Sequence, residues 1–358
     1  MPKPKIAILA SNLYPIPPRA TAAAELIVSE ITEGLVQRGF PVTLYAAGDT
    51  KTHARLVAVT KRASIRDPKI GQPNHKAYEF MLASRAYRDA TAWGAKVMLS
   101  HIPMVSAHFA AFAKFPTVAL LHSPPTFTDS AVMASAPAQK YISISNNQRK
   151  LAKGAKFITT IYHGVNTKQL RFQPSAGLYL AFLGRIREYK GVREAIAVAK
   201  ATRLPLKIAG PIGDAEYFAK FVKPHLNKNI RYVGEITHSQ KSAFLGQALA
   251  TLFPIGWEEP FGLVIPESLA CGTPVVAFKR GSVPELLRDG KTGYIVKNVP
   301  QMVVAVRKIQ NIKRLVCRRE AERRFSLERM VDDYARLLTR IARAQRPALG
   351  SENGVGHS

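Results

Sequence analysis

Cysteine is nearly missing from this chain of 358 residues: Cys271 and Cys317 are the only two. They stand far apart, so neither a disulfide framework nor a thiolate metal site is indicated. Long hydrophobic runs are missing too, none reaching the roughly 18 residues that span a bilayer. The apolar run at residues 6–10 breaks at Ser11 and Asn12. It is too short for a signal-peptide core and reads as a first buried strand. A cytoplasmic protein is expected. Acidic residues are also in short supply, with 24 Asp and Glu against 52 Lys and Arg, a formal charge of +28. Such a field attracts polyanions, whether nucleic acid, an anionic lipid surface or a phosphorylated substrate. No aromatic-bearing RNP strand or zinc-finger spacing accompanies it, so a nucleic-acid partner is not expected. The densest basic stretch, residues 307–346, reads as amphipathic helix. Two expectations follow for it: solvated helix faces, or a surface for peripheral contact with a membrane's inner face or for an anionic acceptor.

Hydrophobic residues make up 47% of the chain and charged residues 21%, a globular composition. The length exceeds one ordinary core and predicts two domains. Residues 6–10 form a continuous apolar run, as in a parallel strand covered on both faces. Residues 25–38 show helical spacing and stop at Gly39, and 42–46 read as the next strand. The alternation continues through a helix at 77–93 and strands at 96–99, 117–121, 141–145 and 157–162. It restarts near Gly177, with strands at 178–183, 206–209, 231–233, 250–253 and 275–278 and helices at 192–200 and 240–245. The predicted class is α/β, two Rossmann-like doubly wound domains facing a cleft. Residues 1–168 form the first domain, completed by a C-terminal helix at 327–345, and 169–326 form the second. The linker falls at 163–177, and 346–358 is expected to be a disordered tail.

Chemistry concentrates in two segments of the second domain. In residues 254–285, Glu259 precedes Pro260, and proline favours the first position of a helix. A helix is predicted from there to about Cys271, stopped by Gly272. Its free amides would form an anion site, with Glu259 at the mouth and Glu267 two turns in. Carboxylates so placed suit the hydroxyls of a sugar and a ribose. The plainer reading makes Glu259 a helix cap and Glu267 a surface charge. The second segment, residues 181–191, leaves the first strand of its domain, where open α/β sheets bind ligands. Arg185 and Lys190, with Gly184 and Gly191 beside them, are suited to grip a diphosphate and to neutralise a departing nucleotide.

Glu259-Pro-Phe-Gly-Leu followed by Glu267-Ser-Leu-Ala-Cys-Gly-Thr-Pro, with Gly184-Arg185 and Lys190-Gly191, resembles the family-4 retaining glycosyltransferases and their B-type fold of two Rossmann-like domains. The resemblance covers nearly all of residues 5–340. It implies that Glu259, Arg185, Lys190 and His122 are catalytic. The implied donor-binding residues are Phe261, Gly262, Leu263, Glu267, Gly184 and Gly234. The donor would be a nucleotide sugar, with UDP-glucose favoured, and no metal or other cofactor is expected. Retention is explained in that family by front-face attack, a donor phosphate oxygen taking the acceptor's proton.

The first domain resembles the family less evenly. His122 closes the strand at 117–121, like the family's histidine beside the donor sugar. His101 closes the preceding strand and is a candidate for the same cleft, while His163 reads as part of a structural linker turn. Where the family has a glycine-rich loop, this chain has Ala22 and Ala23, possible acceptor-side positions. If positive φ is needed there, alanine costs roughly 1 kcal/mol. Three alternatives follow: a nucleotide-sugar epimerase or phosphorylase on the same fold, a non-catalytic nucleotide-sugar-binding or scaffolding homologue, and a nucleic-acid binder. The acceptor's identity is not legible; the basic charge leans towards a lipid-linked or anionic one.

Overall fold

The structure is a computed structural model that describes residues 2–18, 22–152, 154–175 and 177–344. The expected tail, like Ala20 and Thr21 of the alanine loop, lies outside them. Two parallel sheets organise the chain. The first contains β1 (Ile6–Leu9), β2 (Val42–Tyr45), β3 (Arg55–Val57), β4 (Val97–Ser100), β5 (Thr117–Leu120), β6 (Lys140–Ser143) and β7 (Phe157–Thr160), in the order β3-β2-β1-β4-β5-β6-β7. The second contains β8 (Tyr179–Leu183), β9 (Leu206–Ala209), β10 (Ile230–Tyr232), β11 (Ala248–Phe253), β12 (Val275–Phe278) and β13 (Gly293–Val296), in the order β10-β9-β8-β11-β12-β13. The central strands are buried along their length, as expected of parallel strands with helices on both faces.

Strand order reverses beside β1 in the first sheet and beside β8 in the second. Loops leaving neighbouring strands there part in opposite directions and open a crevice. The two crevices face each other. The last helix, Leu327–Arg343, returns to the first sheet's layer and packs on the helix Ala23–Gln37. A Cβ on Gly34 would lie 2.6 Å from Val331, so glycine sets how closely these helices approach. Arg38 Nε donates to Asp332 at 2.7 Å beside that contact. The chain crosses between the sheets twice, and the crossings lie side by side. Val165 N–H donates to Phe325 O at 2.8 Å, and Leu327 N–H to Val165 O at 3.0 Å.

Three sequence expectations need correction. The helix expected from Pro260 spans Val264–Ala270. Gly262 has φ +80°, which a right-handed helix cannot include, so the helix starts only beyond it. Glu267 therefore lies in the first turn, not two turns in. Strands β3 and β13, not expected from the sequence, lie at sheet edges and are partly exposed. Finally, most described basic side chains of the 307–346 stretch are exposed, but a few of its arginines are spent internally. Buried Arg314 donates to the carbonyls of Gln173, Ala248 and Gly246. Arg318 donates to those of Thr167, Leu170 and Ala270. Arg329 reaches Tyr162 O at the inter-sheet crossing. These guanidiniums satisfy carbonyls at strand, helix and loop ends that water would otherwise serve.

Candidate active site

A cavity of about 400 Å³ opens where the two crevices meet. Its second-domain wall comes from the loops after β8 and β11, the neighbours at the strand-order reversal. Gly184, Arg185 and Lys190 lie on the first loop, and Glu259 and residues 261–263 on the second; Glu267 follows on the short helix. Gly191 is required by conformation: its φ is +81°, and a Cβ would come within 1.9 Å of Pro254 O. Gly184 has no such need, since a Cβ there meets only the Phe182 ring at 3.8 Å.

Charge is paired along this wall. Lys190 Nζ donates to Glu259 Oε2 at 2.5 Å, and Trp257 Nε1 donates to the same oxygen at 2.9 Å. The lysine also lies 4.9 Å from the centre of the Trp257 ring, a cation–π contact that holds it over the cavity floor. Lys241 Nζ donates to Glu267 Oε1 at 2.5 Å, while Glu267 Oε2 is buried without a partner among the described residues. A buried carboxylate oxygen left unpaired costs about 1–3 kcal/mol or more, so this oxygen is ready for a donor brought by a ligand. Arg185 is exposed at the cavity and in no ion pair among the described residues.

Three histidines stand in a row on the first-domain side, two of them, His122 and His163, on the cavity wall. His101, His122 and His163 each follow a strand of the first sheet. Their rings stack in sequence, with centroids 5.1 and 5.9 Å apart, and Phe261 of the second domain closes the row edge-on to His163 at 5.0 Å. His101 Nδ1 and His122 Nε2 lie 2.8 Å apart. Burial drives His122 down to about 4 and holds His101 and His163 well below the ordinary histidine range. All three are neutral near pH 7. Two neutral imidazoles sharing one hydrogen bond present one N–H and one lone pair at their outer nitrogens, so the tautomer of either fixes the other.

The cavity therefore gathers His122, Ala22, Ala23, Gly184, Arg185, Lys190, Glu259, Phe261, Gly262, Leu263 and Glu267. It does not gather Gly234, whose carbonyl instead accepts from Gly210 N–H at 2.9 Å, leaving Gly210 on the wall. Nor does it gather His101, which stands behind His122 and lines a separate pocket. Ala22 has φ −126°, so the cost attached to a left-handed alanine is not incurred there. His163 is more than a linker turn, since it lines the cavity. Its place directly after a strand of the first sheet was the signal, as for His101 and His122. His238 and Lys241, one turn apart on the helix His238–Gly246, also line the cavity. Nothing but their position just beyond the β10 carboxyl end hinted at it.

Residues 168–325 match the family model described as glycosyl transferases group 1. A glycogen synthase of Mycobacterium tuberculosis is 30% identical over 193 residues, which are 51% of this chain and 46% of that protein. The chain thus spans about half the length of such curated relatives. The fold is that of sucrose-phosphate synthase from Thermosynechococcus elongatus, with a TM-score of 0.80 at 18% identity over 96% of this chain and 100% of the other. It also matches the Anabaena protein HepE in complex with UDP and glucose, with a TM-score of 0.72 at 18% identity over 94% and 100% of the two chains. The architecture is thus the two-unit Rossmann-like fold of glycosyltransferases.

Proposed function

We propose that this chain is a retaining glycosyltransferase that moves a hexose from a nucleotide sugar, UDP-glucose by preference, to an acceptor hydroxyl. One observation carries the reading. Arg185, Lys190 and Lys241 line a single cavity with Glu259 and Glu267 at the strand-order reversal of the second sheet, and one carboxylate oxygen, Glu267 Oε2, is buried without a partner among the described residues. In this reading Glu267 accepts from the ribose hydroxyls and Glu259 from those of the sugar. Arg185 and Lys190 carry the charge of the diphosphate, the task a metal performs elsewhere. The family match of residues 168–325, the segment that holds all four, supports it.

The bond between the anomeric carbon and the diphosphate oxygen breaks first in character, and negative charge grows on the departing nucleotide beside Arg185 and Lys190. The acceptor oxygen bonds to the same face of the carbon, and its proton passes to a departing phosphate oxygen. Neutral His122 opposite contributes hydrogen bonds without adding a charge that would repel the oxocarbenium-like centre. Lys190 must exchange Glu259 for phosphate as the donor enters, which frees the carboxylate for the sugar.

The direct test is calorimetry with UDP-, GDP- and ADP-sugars, without metal, on the wild type and on an Arg185→Ala/Lys190→Ala variant. One nucleotide sugar is expected to bind, and the variant to lose at least about 100-fold in affinity, since hydrogen bonds to charged groups are worth about 1.5–3 kcal/mol each. Equal binding by both proteins would remove the diphosphate assignment. If a sugar is bound but never transferred or hydrolysed, a non-catalytic binding protein becomes the better description.

A further inference from the structure

Behind the histidine row lies a second cavity, of about 190 Å³, wholly within the first domain. His122 and Ser123 line both cavities and form the partition between them. His101 lies on the second cavity's wall. Its Nδ1 is taken by His122, and its Nε2 is buried without a partner among the described residues. The remaining walls alternate in character: Met104 and Leu121 offer methyl and methylene surface, while Lys76, Asp129 and Ser123 offer polar groups.

From this we propose that the second cavity is the acceptor site, and that it takes one neutral, polyhydroxylated ring, a single sugar or cyclitol. The assignment rests on the donor reading above. Size excludes a second nucleotide sugar, because the space is less than half that of the main cavity. Charge argues against a phosphorylated ring. Lys76 is the cavity's cation, and it already pairs with buried Glu79 at 2.7 Å. Asp129 adds a carboxylate that would repel an anion. A hydroxylated ring fits both kinds of wall, its C–H face on Met104 and Leu121 and its hydroxyls towards Lys76, Asp129 and the vacant His101 nitrogen. A hydroxyl reaching past Ser123 enters the main cavity beside His122, where the donor's anomeric carbon would lie. The expectation of an anionic acceptor, drawn from net charge, is therefore replaced by a neutral one.

Saturation-transfer NMR on the full chain tests this with methyl hexopyranosides, myo-inositol, their octyl glycosides or ethers, and glucose 6-phosphate. A neutral ring is expected to bind, and glucose 6-phosphate to bind more weakly. Met104→Trp, which fills the cavity from its rim, should abolish the signal. Lys76→Ala should weaken it about tenfold, the loss of one or two hydrogen bonds. Both variants should keep their UDP-glucose affinity by calorimetry, although Lys76→Ala should melt lower because buried Glu79 loses its ion-pair partner. Equal binding of the octyl compounds would mark a ring carried on a lipid, and rejection of them a free ring; both support the assignment. No bound neutral ring, undiminished binding in Met104→Trp, or tighter binding of the phosphate ester would overturn it. A wild type that binds rings but no nucleotide sugar would instead sink the donor reading.

Discussion

At the scale of the residue, burial has opposite consequences for bases and acids. His122 falls from 6.5 to about 4 because its charged form would lose water. The unfolded chain then takes up the proton first, so the contribution is present above about 6.5 and is lost as pH falls towards 4. His101 and His163 act in the same direction. Glu30 does the reverse. Its Oε2 is enclosed and unpartnered, and burial with the nearby charge of Glu267 raises it from 4.5 to about 8. Folded protein holds that proton more tightly, so stability is present below about 4.5 and is lost as pH rises through 8. Glu30→Gln should melt higher than wild type at pH 9, by at least about 1 kcal/mol, with the gap closing at pH 5. A constant gap across that range in thermal melts would refute the assignment. The two cysteines are pushed up to about 12 by burial, so thiol reagents should leave the folded protein unlabelled near pH 7.

At the scale of the element, the loop after β8 shows how backbone form delivers a functional side chain. Gly191 turns left-handed, with φ +81°, directly before the helix Val192–Thr202, and its Cα faces Pro254 O on the neighbouring loop. This contact seats the β8 loop on the β11 loop and so places Lys190 over Glu259. Gly191→Ala meets both a strained φ and a Cβ 1.9 Å from a backbone oxygen, where no flexible group can yield. The expected cost is about 1–3 kcal/mol of stability, with donor affinity by calorimetry falling at least as far as in Lys190→Ala. Gly184→Ala, at a position with ordinary contacts, should change stability by less than about 0.5 kcal/mol. If both glycines tolerated alanine equally, the two loops would not be coupled in this way.

At the scale of the whole molecule, the two domains meet at more than their crossings. Glu285 of the second domain accepts from Asn146 N–H and Asn147 N–H, each at 2.7 Å, and from Tyr162 Oη at 2.9 Å. Glu258, next to Glu259 in the chain, accepts from Asn147 Nδ2 at 3.0 Å and from Gly281 N–H at 3.1 Å. First-domain Asn147 thus holds the loop that carries Glu259, and the angle between the domains is tied to the shape of the cavity wall. Removing the Glu285 carboxylate leaves two backbone donors to water, and the latch weakens by about 1–3 kcal/mol. Glu285→Ala should raise the radius of gyration in small-angle scattering, with saturating UDP-glucose restoring the compact form. Scattering curves identical to wild type would mean that the parallel crossings alone set the angle. No helix of the described residues is long and apolar enough to cross a membrane.

Much of this was legible in the sequence because it depends on local order. Continuous apolar runs marked the central strands, since a parallel strand buried on both faces admits little else. Glu259, Glu267, Arg185 and Lys190 were legible because each lies one loop beyond such a strand. The start of the 264–270 helix was misread, since proline's preference for a first turn yielded to the left-handed Gly262 ahead of it. The edge strands β3 and β13 were missed, while the equally exposed edge strands β7 and β10 were found, so exposure alone does not hide a strand. By itself, then, the sequence determined the two-sheet architecture and which charged residues gather on the second-domain side of the cavity, both written in neighbouring residues. Only the tertiary structure decided which histidines share a hydrogen bond, which arginines are spent on carbonyls, and that a second, nearly neutral cavity lies behind His122. Those are contacts between residues tens or hundreds of positions apart, and no local pattern encodes them.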